Sequence, residues 1–105
     1  MVSEDRRLPP EMEPKSIGTR LRLVREAFGL KPSEVSDLLG IERTYWSRFE
    51  GGHRKLTNEV AFLIVDRFGV TLDFLFLGRW ESLRFDVAEK LRTYKAPSDN
   101  NKQPR

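Results

Sequence analysis

Apolar residues recur at helical spacing through the middle of this chain, and each run stops at a glycine. That combination favours short helices joined by tight turns over strands, which need apolar and polar residues in alternation. Ile17, Leu21, Val24 and Phe28 follow i, i+4, i+7, i+11 and stop at Gly29. Pro32 suits a first helical position, Val35, Leu38 and Leu39 give the next run its apolar side, and Gly40 ends it. A third segment, 43–50, sets Trp46 and Phe49 three residues apart before Gly51 and Gly52. The fourth begins near Thr57 or Asn58, both good N-caps, carries Val60, Ala61, Ile64, Val65 and Phe68, and stops at Gly69. Thr71 then caps a short turn of helix over 72–77, closed by Gly78. Residues 62–65 and 68–72 compete as strands, but neither stretch alternates. The spacing predicts an all-α bundle of five helices over residues 16–78.

The ends read differently. Residues 1–15 hold Pro9, Pro10 and Pro14 among alternating charges and lack an apolar period, as a disordered arm does. Residues 96–105 are similarly polar and read as a tail. Between bundle and tail, 79–95 carries Trp80, Leu83, Val87, Leu91 and Tyr94 at i, i+3, i+7, i+11, i+14, the pattern of an additional amphipathic helix. Five helices already make a bundle, so this stripe either packs back onto it or meets its twin in a homodimer, with Phe74, Phe76 and Leu77 as further exposed surface.

With 105 residues, 33% of them charged and 38% hydrophobic, the chain suits one small domain with a modest core. No apolar run approaches the roughly 20 residues a bilayer requires, so no membrane partner is expected, and without a secretory pattern near Met1 the expected location is cytoplasmic. Zero cysteines and the single His53 remove thiol chemistry, cysteine metal sites and most zinc arrangements. No glycine-rich phosphate loop or locatable carboxylate pair points to catalysis. The expectation is a protein that is not an enzyme, with no cofactor, no metal and no evident small-molecule ligand. Net charge is +3, but nine basic against eight acidic side chains leave 16–78 nearly neutral. A nucleic-acid surface there must be local, and Arg43, Arg48, Arg54 and Lys55 against Glu42 and Glu50 form such a cluster.

The second and third helices are joined by Gly40, Ile41 and Glu42 alone, which is the layout of a helix–turn–helix. A third helix starting at Arg43 sets Arg43, Thr44, Ser47 and Arg48 on one face, with Trp46, Phe49 and Glu50 turned largely away. Arginine can pair bidentately with guanine, and serine or threonine can serve several bases. Residues 17–30, 33–41, 44–52 and 68–78 together resemble the phage Cro/repressor-type regulators, the xenobiotic-response-element-like family, with four blocks in order and at matching spacing. The resemblance implies a sequence-specific, double-stranded-DNA-binding transcriptional regulator, a repressor acting as a homodimer. It further implies base contacts from Arg43, Thr44 and Arg48, flanked by Tyr45 and Ser47, and a structural ion pair between Arg25 and Glu50.

Backbone contacts are expected at the second helix's N-terminus, through Lys31 and Ser33, and from His53, Arg54 and Lys55, which otherwise make an ordinary charged loop. Three residues depart from the family pattern. Ser36 brings a hydroxyl to a small packed site, Glu42 replaces a Ser/Thr cap, and Trp46 replaces a smaller aliphatic, so that the local core must be rearranged or more open. The alternative function is a protein–protein module, such as an antitoxin-like partner or a co-regulator.

Overall fold

The computed structural model describes residues 8–102, with side chains described through Lys95. Six α-helices follow one another: α1 (Pro14–Ala27), α2 (Pro32–Leu39), α3 (Arg43–Glu50), α4 (Asn58–Phe68), α5 (Leu72–Leu77) and α6 (Phe85–Lys102). Single 3-10 turns lie at Pro10–Met12 and Trp80–Ser82, and no strand occurs among the described residues.

Local chemistry sets these boundaries. Thr57 caps α4 by accepting the Val60 N–H at 3.2 Å, and Thr71 caps α5 by accepting that of Phe74 at 3.0 Å. Between α2 and α3, Gly40 adopts φ +73°, while the Gly40 and Ile41 N–H groups return to the Asp37 and Ser36 carbonyls at 3.2 and 3.0 Å. The chain thereby leaves α2 sharply enough for α3 to start three residues later.

The buried stripes meet in one core, in which Leu21, Val35, Ala61, Ile64, Phe74, Leu75 and Leu91 are wholly enclosed. Phe28 and Phe68 pack edge-on, with ring centroids 4.9 Å apart, closing the end of α1 against that of α4. Trp46, only 2% exposed, fills its site without leaving the core open. The Ser36 hydroxyl, also fully buried, donates to the Ser33 carbonyl at 2.9 Å. The two departures in this region are therefore absorbed by packing and by one hydrogen bond.

Helix α1 crosses the C-terminal end of α3 at Gly18. A methyl group built on Gly18 would lie 2.8 Å from the Phe49 carbonyl oxygen and closer still to that of Glu50. Only a residue without Cβ lets the two backbones meet at this depth, which fixes how far α3 projects from the bundle.

The ends of the chain differ from the sequence reading. The ordered fold begins before residue 16. The Ser16 hydroxyl donates to the Pro10 carbonyl at 2.7 Å, the Arg20 guanidinium reaches the Glu11 carbonyl, and the turn at Pro10–Met12 packs against α1 and α5. Residues 1–7 of the expected arm lie outside the described residues. The expected helix over 79–95 is broken, because the Ser82 hydroxyl bonds to the Arg79 carbonyl at 2.8 Å and to Thr71, competing with helical pairing. The helix resumes at Phe85 and its backbone continues to Lys102, past the expected boundary at 95; residues 103–105 of the expected tail are not described.

This break turns the apolar stripe inward. Leu83, Val87 and Leu91 are buried in the chain's own core, and α6 lies against α1. Trp80 packs edge-on against Phe74 at 5.3 Å, and Tyr94 remains 39% exposed. As a correction, the Leu83–Val87–Leu91 stripe is not a surface for a second copy, and neither is the fully buried Phe74; Phe76 and Leu77 are half-buried. Gly18→Ala should cost about 2 kcal/mol or more in urea denaturation, as overpacking against rigid backbone does. An unchanged midpoint would contradict the close approach of α1 to α3.

Candidate nucleic-acid interface

Helix α3 divides its side chains sharply. Trp46 and Phe49 are buried and Glu50 is half-buried, whereas Arg43, Thr44, Tyr45, Ser47 and Arg48 are exposed. Arg43, Thr44, Ser47 and Arg48 line one solvent-facing strip, bordered by Tyr45. Arg43 lies 3.9 Å from Asp37 at the end of α2, with both side chains 71% exposed. So exposed a pair holds little, and the guanidinium can exchange it for a phosphate or a base edge.

Behind the strip, a polar anchor fixes the end of α3. Arg25 of α1 donates from Nε to both Glu50 oxygens, at 3.2 and 3.0 Å, and from Nη2 to Oε2 at 2.7 Å. Its Nη1 donates to the Leu30 carbonyl at 2.9 Å, so one guanidinium joins α1, the entry to α2 and the end of α3. Trp46 Nε1 donates to Glu50 Oε1 at 2.9 Å. Both charged side chains are only 12% exposed, and among the described residues no buried side-chain polar atom lacks a partner. Next to this pair, burial pushes the Glu26 carboxyl up, but hydrogen bonds from Arg22 and Tyr94 and the nearby Arg25 charge hold it below its ordinary value.

The candidate phosphate ligands are not equally placed. The Arg54 guanidinium stacks 4.9 Å from the centroid of the Tyr45 ring, beside the α3 strip. His53 lies against Gly51, its backbone N–H bonded to the Arg48 carbonyl at 2.9 Å. Lys55 instead lines a groove with Leu8, Met12 and Asp73, on the side of the loop that meets the N-terminal segment. At the start of α2, Pro32 has no N–H, that of Lys31 goes to Glu34 Oε1 at 2.7 Å, and that of Glu34 to the Lys31 carbonyl. This leaves the half-buried Ser33 N–H as the first-turn donor, with the Glu34 carboxylate beside it, so anion binding there falls chiefly to the exposed Lys31 side chain.

The helix-turn-helix domain family model matches residues 16–74, more than half of the chain and all of α2 and α3. The chain belongs to the helix-turn-helix domain family. Neither a curated protein nor a solved structure gives a match. Membership supports DNA binding by this domain, with the short turn at Gly40 between its two motif helices.

Two basic residues of α1 lie next to this interface without having been singled out from the sequence. Arg22 shares a concavity with Pro32, Ser47 and Gly51, and Lys15 packs directly over Gly52. Arg22 carries a readable signal, since it precedes Arg25 and Glu26 by three and four residues on one helix. Lys15 carries none, because its neighbour is remote in sequence. Trp46 and Glu50, at i and i+4, could also have been paired. Arg25→Ala and Glu50→Ala should each cost about 2–4 kcal/mol in urea denaturation, and the double variant should fall short of their sum by more than about 1 kcal/mol. Additive losses would remove the ion pair as the anchor of α3.

Proposed function

We propose that this chain is a sequence-specific, double-stranded-DNA-binding transcriptional regulator, a repressor acting in the cytoplasm, that reads the major groove with α3. The observation that carries the reading is the division of α3 itself. Arg43, Thr44, Ser47 and Arg48 stand together in solvent, while the apolar half of the same helix is locked into the core. A helix presented in this way enters a major groove with its N-terminal turns toward base edges. Arg48 and Arg43 supply bidentate donors for guanine, and Thr44 and Ser47 supply adaptable hydroxyls. Arg54, His53 and Lys31 then contact phosphates on either side and set the register.

A single domain of this size buries a small DNA interface, so two copies on an inverted repeat supply the affinity. Pairing uses side chains outside the buried α6 stripe. Phe85, 79% exposed, is the most exposed large apolar side chain among the described residues.

Selection from a random duplex pool at near-physiological salt tests the proposal. The expected result is an enriched inverted repeat with half-sites about one helical turn apart. Arg48→Ala should cost about 1–3 kcal/mol on that duplex and relax selection at one base position. A single enriched half-site would remove the dimer and keep the reader. No enrichment at any salt would contradict the proposal and favour a protein partner for the α3 face.

A further inference from the structure

Helix α6 lies entirely outside the region matched to the family, yet it is connected to α3 through polar contacts. Leu91 is wholly buried and Val87 nearly so, which holds α6 along α1 and lays Tyr94 across its outer face. The Tyr94 hydroxyl donates to Glu26 Oε1 at 2.8 Å. The other oxygen, Oε2, accepts from Arg22 Nε at 3.0 Å and lies 3.6 Å from Arg25 Nη2. The same Nη2 sits 2.7 Å from Glu50 Oε2, and Glu50 Oε1 accepts the Trp46 indole N–H. Tyr94, Glu26, Arg25, Glu50 and Trp46 thus form one unbroken sequence of contacts across three helices.

We propose that Tyr94 is a positioning residue for α3, holding Glu26 against Arg25 and thereby fixing the Arg25–Glu50–Trp46 anchor from which the exposed strip of α3 projects. This inference rests on the reading of α3 as the DNA-contacting helix. Its physical basis is the placement of Arg25 between two carboxylates. With Glu26 docked, Nη2 is flanked on both sides, and Nε and Nη1 stay aligned on Glu50 and the Leu30 carbonyl. Arg22 cannot hold Glu26 there alone, since its side chain is 66% exposed and such i, i+4 pairs are weak. The Tyr94 hydroxyl is the contact to Glu26 that comes from a separately packed helix. The bond leaves its mark on both groups: it raises the Tyr94 hydroxyl above its ordinary value and helps keep Glu26 ionised. The Glu50 end matters for recognition because Trp46 immediately precedes Ser47 and Arg48, so a roll of α3 that frees the indole also re-aims those two side chains.

Tyr94→Phe keeps the ring and removes only the donor. The test uses the full chain, with two-dimensional 1H–15N spectra and affinities for a duplex enriched by selection and for an unrelated duplex of equal length at the same salt. The expected result is a folded variant whose Trp46 indole N–H shifts and exchanges with solvent several-fold faster. Its affinity ratio between the two duplexes should fall about two- to fivefold. Glu26→Gln should produce a similar loss, and the double variant little more than either, because both act through one contact. An unchanged Trp46 indole and an unchanged ratio in Tyr94→Phe, even with lowered stability, would overturn the proposal. Equal wild-type affinity for both duplexes would overturn the DNA reading instead, and the Trp46 indole would still decide the tether.

Discussion

The placement of α3 depends on one crossing, where α1 meets the C-terminal end of that helix. Gly18 lets the two backbones approach to a depth that no side chain permits, and Arg25, two turns along α1, clamps the Glu50 carboxylate with three hydrogen bonds. Backbone contact alone would leave α3 free to roll, and an ion pair alone would leave its distance from α1 unset. Together they define both. The arrangement also explains how a large indole is tolerated at Trp46, since its N–H completes the coordination of the same carboxylate. A carboxylate this enclosed would be costly without partners, and here it has two side chains donating to it.

The electrostatics are local. The central segment is nearly neutral, so long-range attraction to DNA is modest and the proposed recognition rests on where the few cations stand. Arg43 and Arg48 are on the exposed strip of α3, Arg54 is held beside it by Tyr45, and Lys55 is directed elsewhere.

Much of this was legible in the sequence, because the helix ends were chemically marked. Gly40, Gly69 and Gly78 close helices, and Thr57 and Thr71 open them. The exposed face of α3 followed from the spacing of Trp46 and Phe49. The break at Ser82 did not, since Trp80, Leu83, Val87, Leu91 and Tyr94 sit at a spacing that an unbroken helix satisfies equally well. The 3-10 turn at Trp80–Ser82, with the Ser82 hydroxyl bonded to the Arg79 carbonyl and to Thr71 of the preceding helix cap, decides against it. The destination of the stripe was open for the same reason, because amphipathicity says that a face is buried and not against what. The contact between Tyr94 and Glu26, 68 residues apart, has no local signature.

The most direct measurement is a chemical-shift map of the isotope-labelled chain titrated with a duplex enriched by selection. The largest changes are expected at Arg43, Thr44, Ser47 and Arg48, flanked by smaller ones at His53, Arg54 and Lys31, with α6 little affected beyond Tyr94. Changes concentrated on the outer faces of α4 to α6, with the α3 strip silent, would contradict the reading of α3 and place the binding surface elsewhere on the bundle.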